Sequence, residues 1–223
     1  MSSVEHYQEL TDDLATETAA AVLTVYAAMQ AGTFGPNATA AAIATVIATA
    51  NAAATTLADL FVATQIEAQT RVPQLPTGIA PRDDTTRLVK AVETIIDDLP
   101  EPKPAAAEPR PAAPKIAVGL PDVAPEIVEH DDEPDPVDTA AKRLERLARS
   151  EPLETGVEIV VEVMNRLPVV EGWRRVLDAD PCERCVRWAE DGRVFPKGHH
   201  FKRHLQCNCQ PEVVVDNRER ITL

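Results

Sequence analysis

The fold of this 223-residue chain is decided near its C-terminal end by two short segments, CERC at residues 182–185 and HLQCNC at residues 204–209. These segments contain all four cysteines of the protein. A CxxC pair followed by a CxC pair, with histidines between them, is the layout of a tetrahedral zinc site in which each segment supplies two ligands. We therefore predict a structural zinc site here.

The pattern offers more ligands than one zinc ion needs. The first ligand set consists of the four cysteines: Cys182, Cys185, Cys207 and Cys209. In a close variant of this set, His204 replaces Cys207 or Cys209. His199 and His200 fit less well, because the loop would have to fold inward to bring either of them to the ion. Reduced cysteines with packing roles are the alternative that needs no metal.

The first residues of the chain, MSSVE, lack the basic and apolar regions of a signal peptide. We therefore expect the protein to be made in a reducing cytoplasm, where cysteines bind metals rather than form disulfides. Residues 38–58 carry no charge, but they are mostly alanine and threonine. Such residues gain little free energy in a bilayer, so no membrane span is predicted.

Composition and charge narrow the classes of protein further. Aromatic residues make up only 4% of the chain, which favours helices that pack closely through small side chains. The net charge of −14 argues against general binding to nucleic acids or anionic membranes. Residues 173–210 are the exception, with 8 basic against 5 acidic side chains. The predicted zinc site therefore lies in a locally basic region.

The pattern of residues 1–99 predicts a helical N-terminal domain. A capping box, SxxE at residues 2–5, opens a first helix that ends near Ala31. A second helix is expected over 38–71 and a third over 84–99. The second has a heptad-like apolar stripe, which suits an antiparallel hairpin or arm and could also contact another subunit. The stripe consists of Ile43, Ile47, Ala50, Ala54, Leu57 and Phe61. The apolar face of the third helix consists of Leu88, Val92, Ile95 and Ile96.

Residues 100–137 are predicted to be a proline-rich extended linker with alanine and acidic residues. Residues 100–136 contain ten of the nineteen prolines, and such runs favour extended polyproline conformations. We expect this linker to be disordered in isolation. In an assembly it could lie along neighbouring subunits as an ordered strap.

Residues 138–223 are predicted to form a small α+β C-terminal domain. Helices are expected over 138–149 and 152–166, because Pro152 suits the first turn of a new helix. Strands at 173–177 and 213–215 flank the cysteines, so a small hairpin should carry the zinc-type cluster with the helices on one face. The predicted fold class is mainly α, with an N-terminal helical arm, the linker and this domain.

Catalytic patterns are weak in this sequence. PCERC at residues 181–185 matches half of the zinc deaminase signature, whose other half would have to come from HDD at residues 130–132. A redox CxxC needs a thioredoxin-like context, which the pattern lacks. Of the three serines only Ser150 lies away from the N-terminus, and no GxSxG or HExxH occurs. We therefore predict that the chain is not an enzyme.

Three segments in order carry a family resemblance: WRRVLDADPCERC at 173–185, GRVFP at 192–196 and HLQCNC at 204–209. Preceded by helices, they resemble the C-terminal domain of the MuF-like minor head proteins of tailed bacteriophages. The resemblance covers residues 138–215, so the N-terminal helices and the linker fall outside it.

The resemblance implies a minor capsid protein for head morphogenesis, present in several copies inside the phage head at the portal vertex. The implied partners are the portal protein and the major capsid protein, and the implied location is the virion, after assembly in the host cytoplasm. Packaged DNA is a further candidate partner for the basic C-terminal region. That region contains Arg184, Arg187, Arg193, Lys197, Lys202 and Arg203. A capsid maturation protease and a zinc-containing nucleic-acid-binding module remain the alternatives.

Overall fold

The computed structural model describes residues 2–98, 136–204 and 207–216. Within these ranges the chain is mainly helical, with a small antiparallel sheet and a cysteine cluster. This part of the predicted fold class is confirmed. Most of the predicted linker, 100–137, lies outside the described residues, and its last two residues begin a helix instead.

The first helix, α1 (Ser3–Gln30), starts at the predicted capping box. Ser2 Oγ accepts a hydrogen bond from the N–H of Glu5 at 3.1 Å, and the N–H of Ser2 donates to Glu5 Oε2 at 2.6 Å. These bonds satisfy backbone N–H groups that the start of a helix leaves unpaired. The helix ends before Gly32, whose φ of 75° is easily adopted only by glycine.

The second helix, α2 (Pro36–Thr70), begins earlier than the predicted residue 38. Pro36 occupies the first position, where its missing N–H removes no hydrogen bond and its fixed φ already suits a helix. Arg71 ends the helix in the left-handed region with φ 61°. By length and composition α2 could also cross a membrane, a test that core helices pass as well.

α1 and α2 pack against each other in antiparallel fashion. Tyr7, near the start of α1, stacks on Phe61, near the end of α2, with ring centroids 4.0 Å apart. Tyr26, near the other end of α1, shares a hydrophobic cluster with Ile43 of α2. All of the predicted stripe is buried apart from Leu57, which is half-buried.

The third helix, α3 (Thr85–Asp97), packs on α2 with all four residues of its predicted apolar face buried. Asp59 of α2 holds the segment that precedes α3 against α2. Its Oδ1 accepts the N–H of Thr77 and its Oδ2 accepts the N–H of Gly78, both at 2.8 Å. Because Asp59 is only 4% exposed, its carboxylate depends on these bonds to replace water.

The fourth helix, α4 (Pro136–Arg166), corrects the prediction of two helices separated at Pro152. A proline inside a helix removes one hydrogen bond and costs about 3 kcal/mol. Here the buried side chains on both sides of Pro152 pack against α1 and α2, so packing outweighs that cost. Among them are Leu144, Ala148, Leu153 and Val157.

A three-stranded antiparallel sheet follows, built from β1 (Val170–Val176), β2 (Phe195–Pro196) and β3 (Gln210–Val215) in the order β2-β1-β3. The predicted pairing of the two longer strands is confirmed, with Trp173 opposite Val213. β2 was not predicted. It approaches β1 at Gly172, where a Cβ would lie 2.0 Å from the carbonyl oxygen of Phe195.

One hydrophobic cluster joins the ranges that were predicted as separate domains, 1–99 and 138–223. It contains Tyr7 of α1 and Phe61 of α2 together with α4 and sheet residues such as Trp173. The N-terminal helices therefore pack directly on the C-terminal sheet. The division into domains itself stays a prediction.

Candidate metal centre

The first cysteine pair is positioned by a short helix, α5 (Glu183–Ala189), that the sequence analysis did not predict. Cys182 is its N-cap residue, and the N–H of Val186 donates to the carbonyl of Cys182 at 3.1 Å. This turn places Cys185 in the interior, 1% exposed, while Cys182 remains exposed.

The second pair lies just before β3. Antiparallel pairing sets Val176 opposite Gln210, so Cys209 comes to lie beside the end of β1. The N–H of Asp178 donates to Cys209 Sγ at 3.4 Å, which fixes this sulfur against the chain that leaves β1. The predicted hairpin therefore does bring the segments that carry the two pairs together.

The sulfur and imidazole groups meet in one place. His204 Nε2 lies 3.1 Å from Cys182 Sγ and 3.2 Å from Cys185 Sγ. Cys185 Sγ lies 3.4 Å from Cys207 Sγ. The potential ligand atoms form two groups, and within each group all atoms lie within 4.8 Å of one another. Cys185 belongs to both groups. They are Cys182 with Cys185 and His204, and Cys185 with Cys207 and Cys209.

All four cysteines are free thiols, and the chemistry of this donor set fits a metal ion. Thiolate and imidazole together are the ligands of structural zinc sites. Burial raises the pKa of Cys185 to about 12, whereas hydrogen bonding from Cys209 lowers the pKa of Cys207 to about 5. The same hydrogen bond, together with burial, raises the pKa of Cys209. Bound metal would stabilise the thiolates that burial disfavours.

Arg175 of β1 supplies positive charge beside the sulfurs and was missed by the sequence analysis. It is only 5% exposed. Its Nη2 donates to the carbonyl of Lys202 at 2.5 Å, and its guanidinium lies 3.8 Å from the ring centroid of Phe201. Its charge opposes the rise in the pKa of Cys185. The alternation of inward and outward residues along β1 was the available signal.

Asn208, between the last two cysteines, connects the centre to α1. Its Nδ2 donates to the carbonyl of Gln8 at 2.6 Å, and Thr11 Oγ1 donates to its Oδ1 at 3.0 Å. Gln8 Nε2 in turn donates to the carbonyls of Leu177 and Asn208 at 3.2 and 3.1 Å. The sequence analysis gave Asn208 no structural role.

The remaining candidates lie elsewhere. His199 stacks on Phe195 with ring centroids 4.9 Å apart, and neither it nor His200 belongs to the ligand groups found among the described residues. Within the basic region, Arg193 pairs with Glu190 at 2.7 Å. His130, the histidine of the deaminase alternative, lies outside the described residues.

Comparisons with protein-family models, with curated proteins and with solved structures give no match. The functional proposal therefore depends on the geometry of the centre and on the motifs of the sequence.

Proposed function

We propose that this chain is a structural protein held together by a zinc ion at the cysteine–histidine centre, and that it serves as a minor head protein of a tailed bacteriophage. The observation that carries the proposal is the approach of His204 Nε2 to the sulfurs of both Cys182 and Cys185, at 3.1 and 3.2 Å. Two segments thereby meet as a ligand cluster, although Cys185 and His204 are 19 positions apart in the sequence. When bound, zinc supplies a link between them without redox chemistry.

The residues of the chain support a structural role for the ion. Three of the four cysteines are buried, so the centre offers little room for a substrate beside a metal. Cys209 is fixed by the N–H of Asp178 at 3.4 Å, and Asn208 is bonded to α1. Groups held on all sides in this way suit a cross-link between segments better than a reaction site with an open coordination position.

The head-protein role is supported by the resemblance of residues 138–215 to the MuF-like family. The segments of that resemblance occupy connected positions here. The first runs along β1 into α5, the second contains β2, and the third leads into β3. The elements therefore follow the order of the resemblance, from helix to strand to paired cysteines.

The maturation protease alternative finds little support around Ser150. This residue is buried, and its Oγ has no hydrogen-bond partner within the part of the chain that the structure describes. A serine nucleophile needs an adjacent base. We therefore propose that the protein is not an enzyme.

The described surface has an acidic side and a basic side, which suit protein partners with basic and acidic surfaces respectively. The outer face of α1 carries exposed acidic residues: Glu9, Asp12, Asp13 and Glu17. Around α5 the exposed basic residues are Arg184, Arg187 and Arg193. We propose contacts with the portal protein and the major capsid protein at the portal vertex inside the head, with packaged DNA as a further partner of the basic side.

Two measurements test these proposals separately. Elemental analysis of the reduced full chain should find about one zinc ion per chain, as expected for a structural zinc site. Cross-linking mass spectrometry on particles produced from the encoding genome should find the chain joined to the portal protein. Absence of the chain from finished particles would refute the head-protein role, whereas a metal-free folded chain would refute the zinc centre.

The protease alternative has its own test. Ser150→Ala should leave cleavage of the head proteins unchanged, with unaltered particles as the control. Loss of cleavage in particles that still contain the folded variant would overturn the structural role.

A further inference from the structure

Two of the candidate ligand pairs at the centre have the same spacing in the sequence. Cys182 and Cys185 are three positions apart in a turn at the start of α5, and His204 and Cys207 are also three positions apart. The N–H of Cys207 donates to the carbonyl of His204 at 3.4 Å, so a backbone hydrogen bond links this second pair. Two ligands at such short spacing can bind one zinc ion together.

Cys207 also has the hydrogen bond that a metal-bound thiolate favours. The backbone N–H of Cys209 donates to Cys207 Sγ at 3.4 Å. A backbone donor aimed at a sulfur stabilises its charged form. Of the last two cysteines, Cys207 also lies within 3.4 Å of Cys185, the residue that both ligand groups share.

Cys209 is in a different position. Its sulfur accepts the N–H of Asp178 at 3.4 Å on the side of β1. Both Cys207 and Cys209 belong to the group with Cys185 and not to the group that contains His204, so they differ in their hydrogen bonds and not in their group. The place of Cys209 at the start of β3 ties it to the sheet, whereas His204 and Cys207 lie on the loop that leads there.

We propose that the ion is bound by Cys182, Cys185, His204 and Cys207, and that Cys209 is a buried thiol that forms no bond to the metal. The sequence alone left five candidates for four positions. This assignment rests on the proposed zinc centre and goes beyond it by naming the ligands. Cys209 then acts as a positioning residue, because its backbone N–H orients the thiolate of Cys207.

X-ray absorption fine structure of the unaltered zinc protein provides the direct test. The proposed set should give three sulfur neighbours and one nitrogen, whereas four cysteines would give sulfur alone. A four-sulfur spectrum overturns the ligand assignment and leaves the zinc centre intact. An absence of zinc from the unaltered chain overturns both, so the two failures are distinguishable.

Several variants extend the test, and the ligand assignment can still be tested if one of these variants does not fold. Cys209→Ser should retain zinc and the mixed sulfur–nitrogen spectrum, because its backbone N–H is unchanged. His204→Cys should retain zinc and change the spectrum to sulfur alone. His200→Ala is the matched control for a histidine of the same loop and should leave the spectrum unchanged. Loss of zinc from Cys209→Ser, with zinc retained in His204→Ala, would overturn the assignment.

Discussion

The side-chain amide of Asn208 donates a hydrogen bond to the main-chain carbonyl of Gln8 at 2.6 Å. The bond joins the residue between the last two cysteines to the second turn of α1. Thr11 donates to the same asparagine side chain from the next turn. Because Asn208 is flanked by cysteines, order at the metal centre and docking of α1 should depend on each other.

Asn208→Ala should weaken both features at once. It removes the side-chain hydrogen bonds to the Gln8 carbonyl, to Thr11 Oγ1 and to Gln210 Nε2. Loss of a partner costs about 1–3 kcal/mol for a buried polar group. We expect faster hydrogen exchange in the first turns of α1 and weaker zinc binding in a competition titration with a chelator. Asn165→Ala, an exposed asparagine of α4, is the matched control. Equal exchange rates in the two variants would contradict the coupling.

Removal of the proposed zinc ion by a chelator should unfold the candidate metal centre before the helical part of the molecule. Ligation free energy is folding free energy for segments that depend on a metal. Thiol labelling should then reach Cys185, Cys207 and Cys209, which are buried in the folded protein. Helical circular dichroism should largely persist, because all four long helices share a buried apolar cluster that is separate from the cluster of the cysteines. Unchanged labelling after complete zinc removal would show that the ion does not hold these segments.

Tyr7 and Gly156 are in close contact, so the effects of their substitutions on the free energy of unfolding should not be additive. A Cβ at Gly156 would lie 2.9 Å from the hydroxyl oxygen of Tyr7, so Gly156→Ala should destabilise the protein by about 1–3 kcal/mol. The Tyr7 hydroxyl is buried without a partner in the described ranges, and burial raises its pKa. Tyr7→Phe should therefore cost less than about 1 kcal/mol.

In the Tyr7→Phe background, Gly156→Ala should become neutral or stabilise the protein by up to about 1 kcal/mol, because alanine favours a helix interior over glycine. Urea unfolding of the four variants measures this reversal of sign. Equal effects of Gly156→Ala in both backgrounds would contradict the contact.

Glutamine side chains of α2 cover the outer edge of β3. The N–H of Val213 donates to Gln65 Oε1 at 2.5 Å, and Gln69 Nε2 donates to the carbonyl of Val213 at 2.7 Å. Gln65→Ala should leave a buried N–H unsatisfied at a cost of about 1–3 kcal/mol. Thermal unfolding against Gln30→Ala, an exposed glutamine of α1, measures the difference. An equal melting temperature in the two variants would show that the edge does not need this cover.

Local patterns predicted the elements that have local causes. The capping box at Ser2 and Glu5, the apolar face of α3 and the strands around the cysteines all have short-range signals, and the structure contains each of them. α4 was predicted as two helices because Pro152 is a strong local signal. The packing that overrides it comes from distant parts of the chain.

The cysteines of the candidate metal centre were predictable from the sequence, whereas most of their surroundings were not. CxxC and HxxCxC spacings identify candidate ligands, and the alternation along β1 was a signal for Arg175. Nothing local marks Asn208 as the link to α1. Nor could β2 be predicted, since its few residues pair with β1 only because Gly172 permits close approach. Polar contacts between segments far apart in sequence have no periodic pattern to reveal them.

The bond between Thr11 and Asn208 spans 197 positions of the chain. During synthesis, α1 leaves the ribosome long before residues 207–209 have been made. The buried face of its first turns therefore remains exposed to solvent during that time. Contacts of such high sequence separation slow folding and prolong exposure to wrong associations. A helper that shields the nascent N-terminal helices, or rapid capture by an assembly partner, would then influence the yield of native protein more than any single stabilising contact.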